Sequence, residues 1–591
     1  MKTKNIILSI VITASLLVPI SCKDYLEMPK QGSFNKDAVF ANIRNTEIYL
    51  YSLYQYVPKI LYGWSNPAGL NGPSRVTISD EGICGLYFYR SNDVYVGAVN
   101  SSWFTTANGE DIFSWHWTTI KRCIVMLQNI DNVPDATPEI KGRYKGECNA
   151  IMALEYLEMF KRYGGLPIVK DLINFTENPK IPRESIDATY KYIISLCDAV
   201  IANPDIPAII TNQIEFGRAT KAWAYGIKAR AALYAASPLF NSATPYLDFG
   251  ENNKLICYTN YDVNRWKTAR DYALDAIQFC ESNGYAMVTS FGINRNYTVA
   301  CEKYPNNGNT ELIIATLKNP GLEENVAGSA LVYTAWKAKG LAAAGGRNMV
   351  NHNAVEFYQN TDGSRVNWEQ KITTAPNDPT APYKNLEPRF QQSIGYNGAL
   401  WQTAPLLKLE FYDPGETGVI SGINGMIKTT NTSNYGFHKY YHDFEASTAG
   451  YMPLNPIMRL AEMYTIAAEA SNEFQGPNAK AFDLIDVIRT RSGMPKLDRT
   501  MSQTSLREAI RNECAVEFFA EDHRYFDLKR WKTPDPFKKI YNLKILKYMN
   551  NTYTYEKYLS QTRVWNDFWY LHPFPLAEVL KNYGLIQNPG W

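Results

Sequence analysis

Helical periodicity runs through both ends of this chain and lapses between them, and that pattern limits what it can fold into. In residues 110–131, Trp117, Ile120, Ile124 and Leu127 recur at three- and four-residue steps, one face of a helix. Trp115 and Trp117 are assigned to the core side of that helix. Thr137-Pro138-Glu139 reads as an N-cap followed by proline in the first turn. Ala150, Ala153, Leu157 and Phe160 then repeat the spacing until Gly164-Gly165 stops it. Tyr190, Ile193, Cys197 and Val200 form a third face. Residues 219–240 form an Ala-rich helix stopped at Ser237-Pro238. Trp266, Ala269, Ala273, Ala276 and Cys280 form another, closed by Asn283-Gly284. Helices return at 456–474, 478–491 and 504–520.

Between residues 285 and 452 the period disappears, and Gly, Asn, Pro, Thr and Tyr become frequent, as in Asn306-Asn307-Gly308-Asn309, Gly345-Gly346 and Asp413-Pro414-Gly415. Long irregular stretches in a compact protein usually carry function. Small residues on the helix faces let neighbours approach closely, and paired helices of this kind stack as tetratricopeptide (TPR) solenoids do. The full signature of roughly 34 residues is not present, so the units are TPR-like and degenerate. The expected fold is mainly α: a TPR-like helical-repeat core with a large loop-rich insertion carrying few short strands. The expected divisions are a signal peptide over 1–21, a helical region over 22–284, the irregular insertion over 285–452, and a helical region over 453–591 that completes the same body. Residues 541–591 are rich in Tyr and Trp and read as short turns.

The first residues are an address. Lys2 and Lys4 precede an apolar stretch from Ile6 to Ile20, too short to be a convincing membrane span, and Ser21-Cys22 follows. The layout resembles a bacterial lipoprotein signal, with Pro19 where Leu is usual. In that reading Cys22 becomes the N-terminus and carries the acyl chains, palmitate among them. Each buried CH₂ is worth about 0.8 kcal/mol, so a multiply acylated Cys22 would hold firmly. The acidic residues in Lys23-Asp24-Tyr25-Leu26-Glu27 resemble a surface-export signal and point to the outer face of an outer membrane. The other eight cysteines are scattered, with no Cys-x-x-Cys pair, and read mostly as small buried hydrophobes. No clustered ligands suggest zinc. Lys+Arg of 60 against Asp+Glu of 58 shows no basic excess, so nucleic acid is not an expected partner. Tyr at 41 and Trp at 13 outnumber Phe at 25, which suits surfaces that are part apolar and part wet.

Four separated stretches resemble the SusD/RagB family. They are Cys22-Lys23-Asp24-Tyr25-Leu26-Glu27; Arg459-Leu460-Ala461-Glu462-Met463-Tyr464 with Ala467-Ala468-Glu469-Ala470 and Ile488-Arg489-Thr490-Arg491-Ser492-Gly493; Ile510-Arg511-Asn512-Glu513 through Glu517-Phe518 to His523-Arg524-Tyr525-Phe526-Asp527-Leu528-Lys529-Arg530-Trp531; and Pro573-Phe574-Pro575 with Glu578 and Gln587-Asn588-Pro589-Gly590-Trp591. The chain departs from the family at Ala520-Glu521-Asp522, where Glu-Gly is usual, and at Asn512-Glu513, where Glu-Arg is common. The resemblance implies a surface lipoprotein that binds a nutrient, most often an oligosaccharide, and closes it into a SusC-like TonB-dependent transporter. Energy would come through the barrel from TonB, and no bond would be cleaved. A RagB-like peptide importer is the alternative ligand class.

Glu513, Glu517 and Glu521 recur every four residues. Paired carboxylates can hydrolyse a glycoside, but this spacing on a helix reads as a structural ion-pair network. A surface glycosidase and a purely structural scaffold are the less favoured readings, and no enzyme is expected. His438 and His442 have ligand spacing only on a helix, and their Tyr-rich surroundings read as strand. No cofactor is expected, and a calcium ion stiffening a loop has no readable signature. Aromatic rings stack on the C–H faces of sugars while polar groups bind the hydroxyl rim. The candidate ligand-binding residues are Trp64, Asn66, Arg75, Tyr87, Tyr89 and Trp103 in one loop-like region, and Tyr333, Trp336 and Trp401 in the irregular middle.

Overall fold

Thr137 and Pro138 open the central helix as its sequence predicts. The Thr137 hydroxyl accepts from the Ile140 N–H at 3.3 Å, Pro138 occupies the first turn, and Gly164 ends the helix at φ 79°. The computed structural model describes residues 35–55, 57, 75–84, 91–102, 111, 113–173, 179–315, 348–373, 376–401, 407–412, 433–439, 454 and 456–591. Cys22 and the signal segment lie outside the described residues.

The long helices are α1 (Ile43–Tyr54), α2 (Phe113–Asn129), α3 (Pro138–Tyr163), α4 (Ile186–Ala202), α5 (Lys221–Ala236), α6 (Asn264–Ser282), α7 (Leu460–Gln475), α8 (Ala479–Arg491) and α9 (Gln503–Glu517), with the shorter α10 (Arg524–Arg530) following. Each of α2 to α6 packs on the next, and α7 then packs on α6 across the whole intervening segment. The stack is mainly helical and TPR-like. Its core is small and aliphatic: Ala222, Ala229, Ala269, Ala273, Ala467 and Ala470 are fully buried among Leu and Ile. Gly226 lets α5 approach its neighbour, since a Cβ there would stand 2.2 Å from Met458 Sδ. All eight cysteines after Cys22 are buried thiols, as small hydrophobes should be.

The irregular segment builds short strands against this stack. Strand β1 (Gly82–Cys84) pairs with β3 (Asn348–Val350), and β2 (Leu312–Ala315) pairs with β4 (Pro456–Arg459), both antiparallel. Residues 456–459 were expected to begin a helix. They are a strand because β2 offers them a ladder, and α7 starts only at Leu460. The last helix of the former reading ends at Glu517, not at 520, because Ala520 turns left-handed at φ 56°. The longest hairpin, β5 (Lys539–Lys547) with β6 (Tyr553–Thr562), falls in a region expected to be helical and turn-like. Its alternation of buried and exposed residues is a period-two signal that the aromatic count concealed.

Leu543, Ile545, Tyr553 and Tyr555 of that hairpin close a second core with Tyr358, Tyr383, Phe390, Phe411, Tyr412, Tyr435, Phe437 and Phe519. Many of the tyrosines therefore fill an interior. Some of their hydroxyls find partners there: Tyr383 donates to Tyr435 at 3.3 Å and Tyr555 donates to the Pro379 carbonyl at 2.9 Å.

Candidate functional site

The carboxylates of α9 are the starting point, because they fix what surrounds the loops. Glu513 and Glu517 meet Arg389 at 2.6 and 3.1 Å, and Glu517 also meets Arg459 at 3.0 Å and Arg491 at 2.5 Å. Glu311 joins Arg459 and Arg491 at 3.0 Å each, Glu521 joins Arg459 and Lys439 at 2.6 Å each, Glu387 joins Arg389 at 2.7 Å, and Arg489 joins Glu513 at 2.9 Å. Five carboxylates and five cations, every one buried, thus form one connected network. Burial pushes the Glu517 carboxyl up, but Arg491, Arg459 and Arg389 overcome it and hold the group down to about 2. The ion-pair reading of this helix is what the structure shows, although the partners come from the irregular middle, from β4 and from α8, not from neighbours on the same helix. With its oxygens engaged by guanidinium groups, Glu517 is in no position to act on a glycosidic bond.

The adjoining signature segment pins the loop that carries the first group of candidate residues. Arg524, on α10, donates to both oxygens of Asp80 at 2.9 and 2.7 Å. The Ala520 N–H donates to Glu81 at 3.0 Å. Arg563 donates to the carbonyls of Ser79 at 2.7 Å and Gly82 at 3.1 Å, and Asn351 donates to the Gly82 carbonyl at 2.7 Å. Glu81 is buried, which raises its carboxyl to about 8 against the pull of the Ala520 N–H and Arg524.

Arg75 belongs to this base. It is buried, pairs with Asp522, and its guanidinium carbon stands 6.0 Å from the Phe526 ring centroid. The hollow it lines, with Glu158, Arg230 and His523, measures about 30 Å³, room for a water and not for a sugar ring. Asp522 occupies φ 71°, a left-handed position that favours glycine. Here Asp522 accepts the backbone cost and supplies the carboxylate that Arg75 needs.

The register of the ribbon sets Cys84 opposite Asn348. The chain therefore leaves β1 and enters β3 at the same end of the ribbon. Trp64, Asn66, Tyr87, Tyr89, Trp103, Tyr333 and Trp336 themselves lie outside the described residues. Trp401 pairs with Leu407 in a two-residue strand, and its side chain also lies outside the described residues. His438 follows a short strand, Gly436–Phe437, and its Nδ1 lies 2.7 Å from the Gln391 carbonyl; His442 lies outside the described residues.

A feature the sequence reading missed lies beside α2. Trp117 was assigned to the core, yet it is only half-buried. Its ring packs edge-on against Phe113 and Tyr156, and with Ile124, Val169 and Tyr583 it walls a groove of about 490 Å³. The three- and four-residue spacing found the helix but could not tell which part of its apolar stripe stays uncovered. Behind the groove, His116 Nδ1 lies 2.5 Å from Glu155 and Nε2 lies 2.9 Å from Asp111. Burial would lower this imidazole, but the two carboxylates outweigh it and raise it to about 10, so the clamp joining α2 to α3 is charged at neutral pH.

Residues 314–591 match the model of the SusD family. Over that part the chain is similar to the SusD family. A curated relative, SusD-like protein P25 of Formosa agariphila, is 40% identical over 78 residues, covering 13% of this chain and 15% of the relative. A SusD-like protein from Bacteroides fragilis superposes with a TM-score of 0.73 at 21% identity, covering 94% of this chain and 98% of its own. A SusD-like carbohydrate binding protein from the same species superposes with a TM-score of 0.68 at 19% identity, covering 93% and 100%. The sequence matches thus span about a quarter or less of the curated relatives, while the shared SusD fold spans nearly the whole chain. No helix among the described residues is long and apolar enough to cross a membrane. Nor, among the described residues, does any group of three or more His, Cys, Asp or Glu stand ready to hold a metal ion.

Proposed function

We propose that this SusD-like chain is a lipid-anchored surface protein that captures oligosaccharides and passes them to a SusC-like TonB-dependent transporter in the outer membrane. The observation that carries the proposal is the locked base of the β1–β3 ribbon. Buried ion pairs of the signature segment fix the point where two ring-bearing stretches of sequence leave and enter the fold. Rings on a rigid base can grip sugar faces without a large ordering cost, and polar groups between them can bind the hydroxyl rim. The carboxylates that could have suggested hydrolysis are neutralised in the interior, so the chemistry offered is binding and release. Wet sugar sites of this kind hold ligands near about 1 mM, or roughly −4 kcal/mol. Cys22 is the proposed acylation point and the outer leaflet the proposed location; no cofactor is assigned.

Isothermal titration of the mature chain against glycan and peptide panels tests the ligand class. Glycan binding that falls in Trp64→Ala, Trp103→Ala and Trp336→Ala supports the proposal. Binding to peptides alone would replace it with the peptide-importer reading. Mass spectrometry of residue 22 and co-purification of a barrel test the anchor and the partner.

A further inference from the structure

We infer that a second carbohydrate-binding hollow lies in the helical stack, between α4 and α6 above α5, and that it takes a neutral oligosaccharide segment. The inference rests on the glycan reading above but concerns residues far in sequence from the ribbon loops.

The hollow exists because α5 presents alanines where larger side chains would have filled the space. Ala232 and Ala235 form part of its lining, and the volume left is about 400 Å³, within the range of small-ligand sites. Tyr190 of α4, Tyr272 of α6 and Tyr258 just before α6 line it, and all three rings are half-buried. That separates them from the tyrosines of the second core, such as Tyr358 and Tyr383, which are sealed at 1% exposure. The rings are held in place by cations. The Arg265 guanidinium carbon stands 3.7 Å from the Tyr258 centroid, and the Lys228 ammonium stands 4.3 Å from that of Tyr272.

The charges select the class of ligand. Lys191 pairs with Asp187 at 2.6 Å, and Asp198 pairs with Lys228 at 2.6 Å. Arg265 donates to Asn241 at 2.6 Å and to the carbonyl and side chain of Asn260 at 3.0 and 2.9 Å. Lys191 and Lys228 are thus matched by carboxylates, and Arg265 has its guanidinium engaged by neutral oxygens, so an ionic ligand would compete with existing contacts. A neutral polyol competes with none of them: its C–H faces lie on the ring surface that the cations leave uncovered, and its hydroxyls reach the oxygens of the rim. An extended peptide is less suited, because no unengaged cation or amide row runs along this lining to bind its carbonyls and terminus.

The test uses the full mature chain and neutral hexasaccharides of glucose, xylose and mannose at millimolar concentration. Hydrogen exchange on the unmutated chain is expected to show ligand-dependent protection of peptides covering 187–198 and 258–272. Titration is expected to retain binding in the combined Trp64→Ala, Trp103→Ala and Trp336→Ala variant, and to lose at least fivefold of that residual affinity when Tyr258→Ala and Tyr272→Ala are added. Protection confined to other peptides, or loss of all binding in the loop variant, overturns the second hollow and leaves the ribbon-loop reading intact. No binding of any sugar by the unmutated chain overturns both. Because the exchange measurement needs no substitution, misfolding of a tyrosine variant does not decide the result.

Discussion

The helical stack and the irregular layer against it are held by different forces. The stack buries small aliphatic residues, and its helices are capped and terminated locally, as at Thr137 and Gly164. The layer buries large aromatics and is stitched to the stack by charge, through a network running from Glu311 to Glu521. Apolar contact is non-directional and tolerates approximate geometry, whereas a buried ion pair is stable only when every partner is present. The stack is therefore expected to tolerate change gradually, and the layer to fail at single residues.

The sharpest way to break this contrast is Glu517→Ala. It removes the carboxylate that Arg389, Arg459 and Arg491 share, leaves three buried cations with one partner fewer each, and is expected to cost about 3–5 kcal/mol in urea denaturation. A loss below 1 kcal/mol would mean that the network does not hold the layer. Leu157→Ala in α3 is expected to cost about 2–5 kcal/mol from the cavity it leaves, with no change in its salt dependence. Arg524→Ala removes both bonds to Asp80, with an expected loss of about 1.5–3 kcal/mol per charged contact site. Its distinguishing mark is weakened ligand binding at temperatures where helical circular dichroism is unchanged.

The pH dependence sharpens the comparison further. Glu81 has its folded carboxyl raised by burial from 4.5 to about 8, so the folded chain retains a proton that the unfolded chain has released. Stability from this group is complete below pH 4.5 and is lost as pH rises through about 8. Glu81→Gln should remove the decline between those limits, read as melting temperature against pH. The smallest expected effect lies in the stack: Thr137→Ala loses one cap, about 1 kcal/mol, with no effect on ligand binding.

How far each region could be read in advance follows the same division. The starts and stops of α3 and the faces of α4 and α6 were legible because caps and helical period are local properties of sequence. That Glu513 and Glu517 serve structure was legible too, from their spacing. Their partners were not, because Arg389 and Arg459 are distant in sequence and no local rule joins them. Arg75 looked like a loop cation and proved to be an anchor for the same reason, since Asp522 lies hundreds of positions away. Trp117 packs on the core as expected but is covered on one side only, because a helical stripe records which residues are apolar, not how far a neighbour covers them.

By itself, the sequence determined the long helices of the stack from 113 onward, the cap and stop of α3, the scattered buried cysteines and the break in period over the middle of the chain. Those depend on interactions within a few residues. The tertiary structure alone decided that α7 packs on α6 across the insertion, that tyrosines build a second core, and which charges neutralise one another. Such outcomes rest on contacts between distant segments, whose free energy exists only once the chain has closed the loops between them.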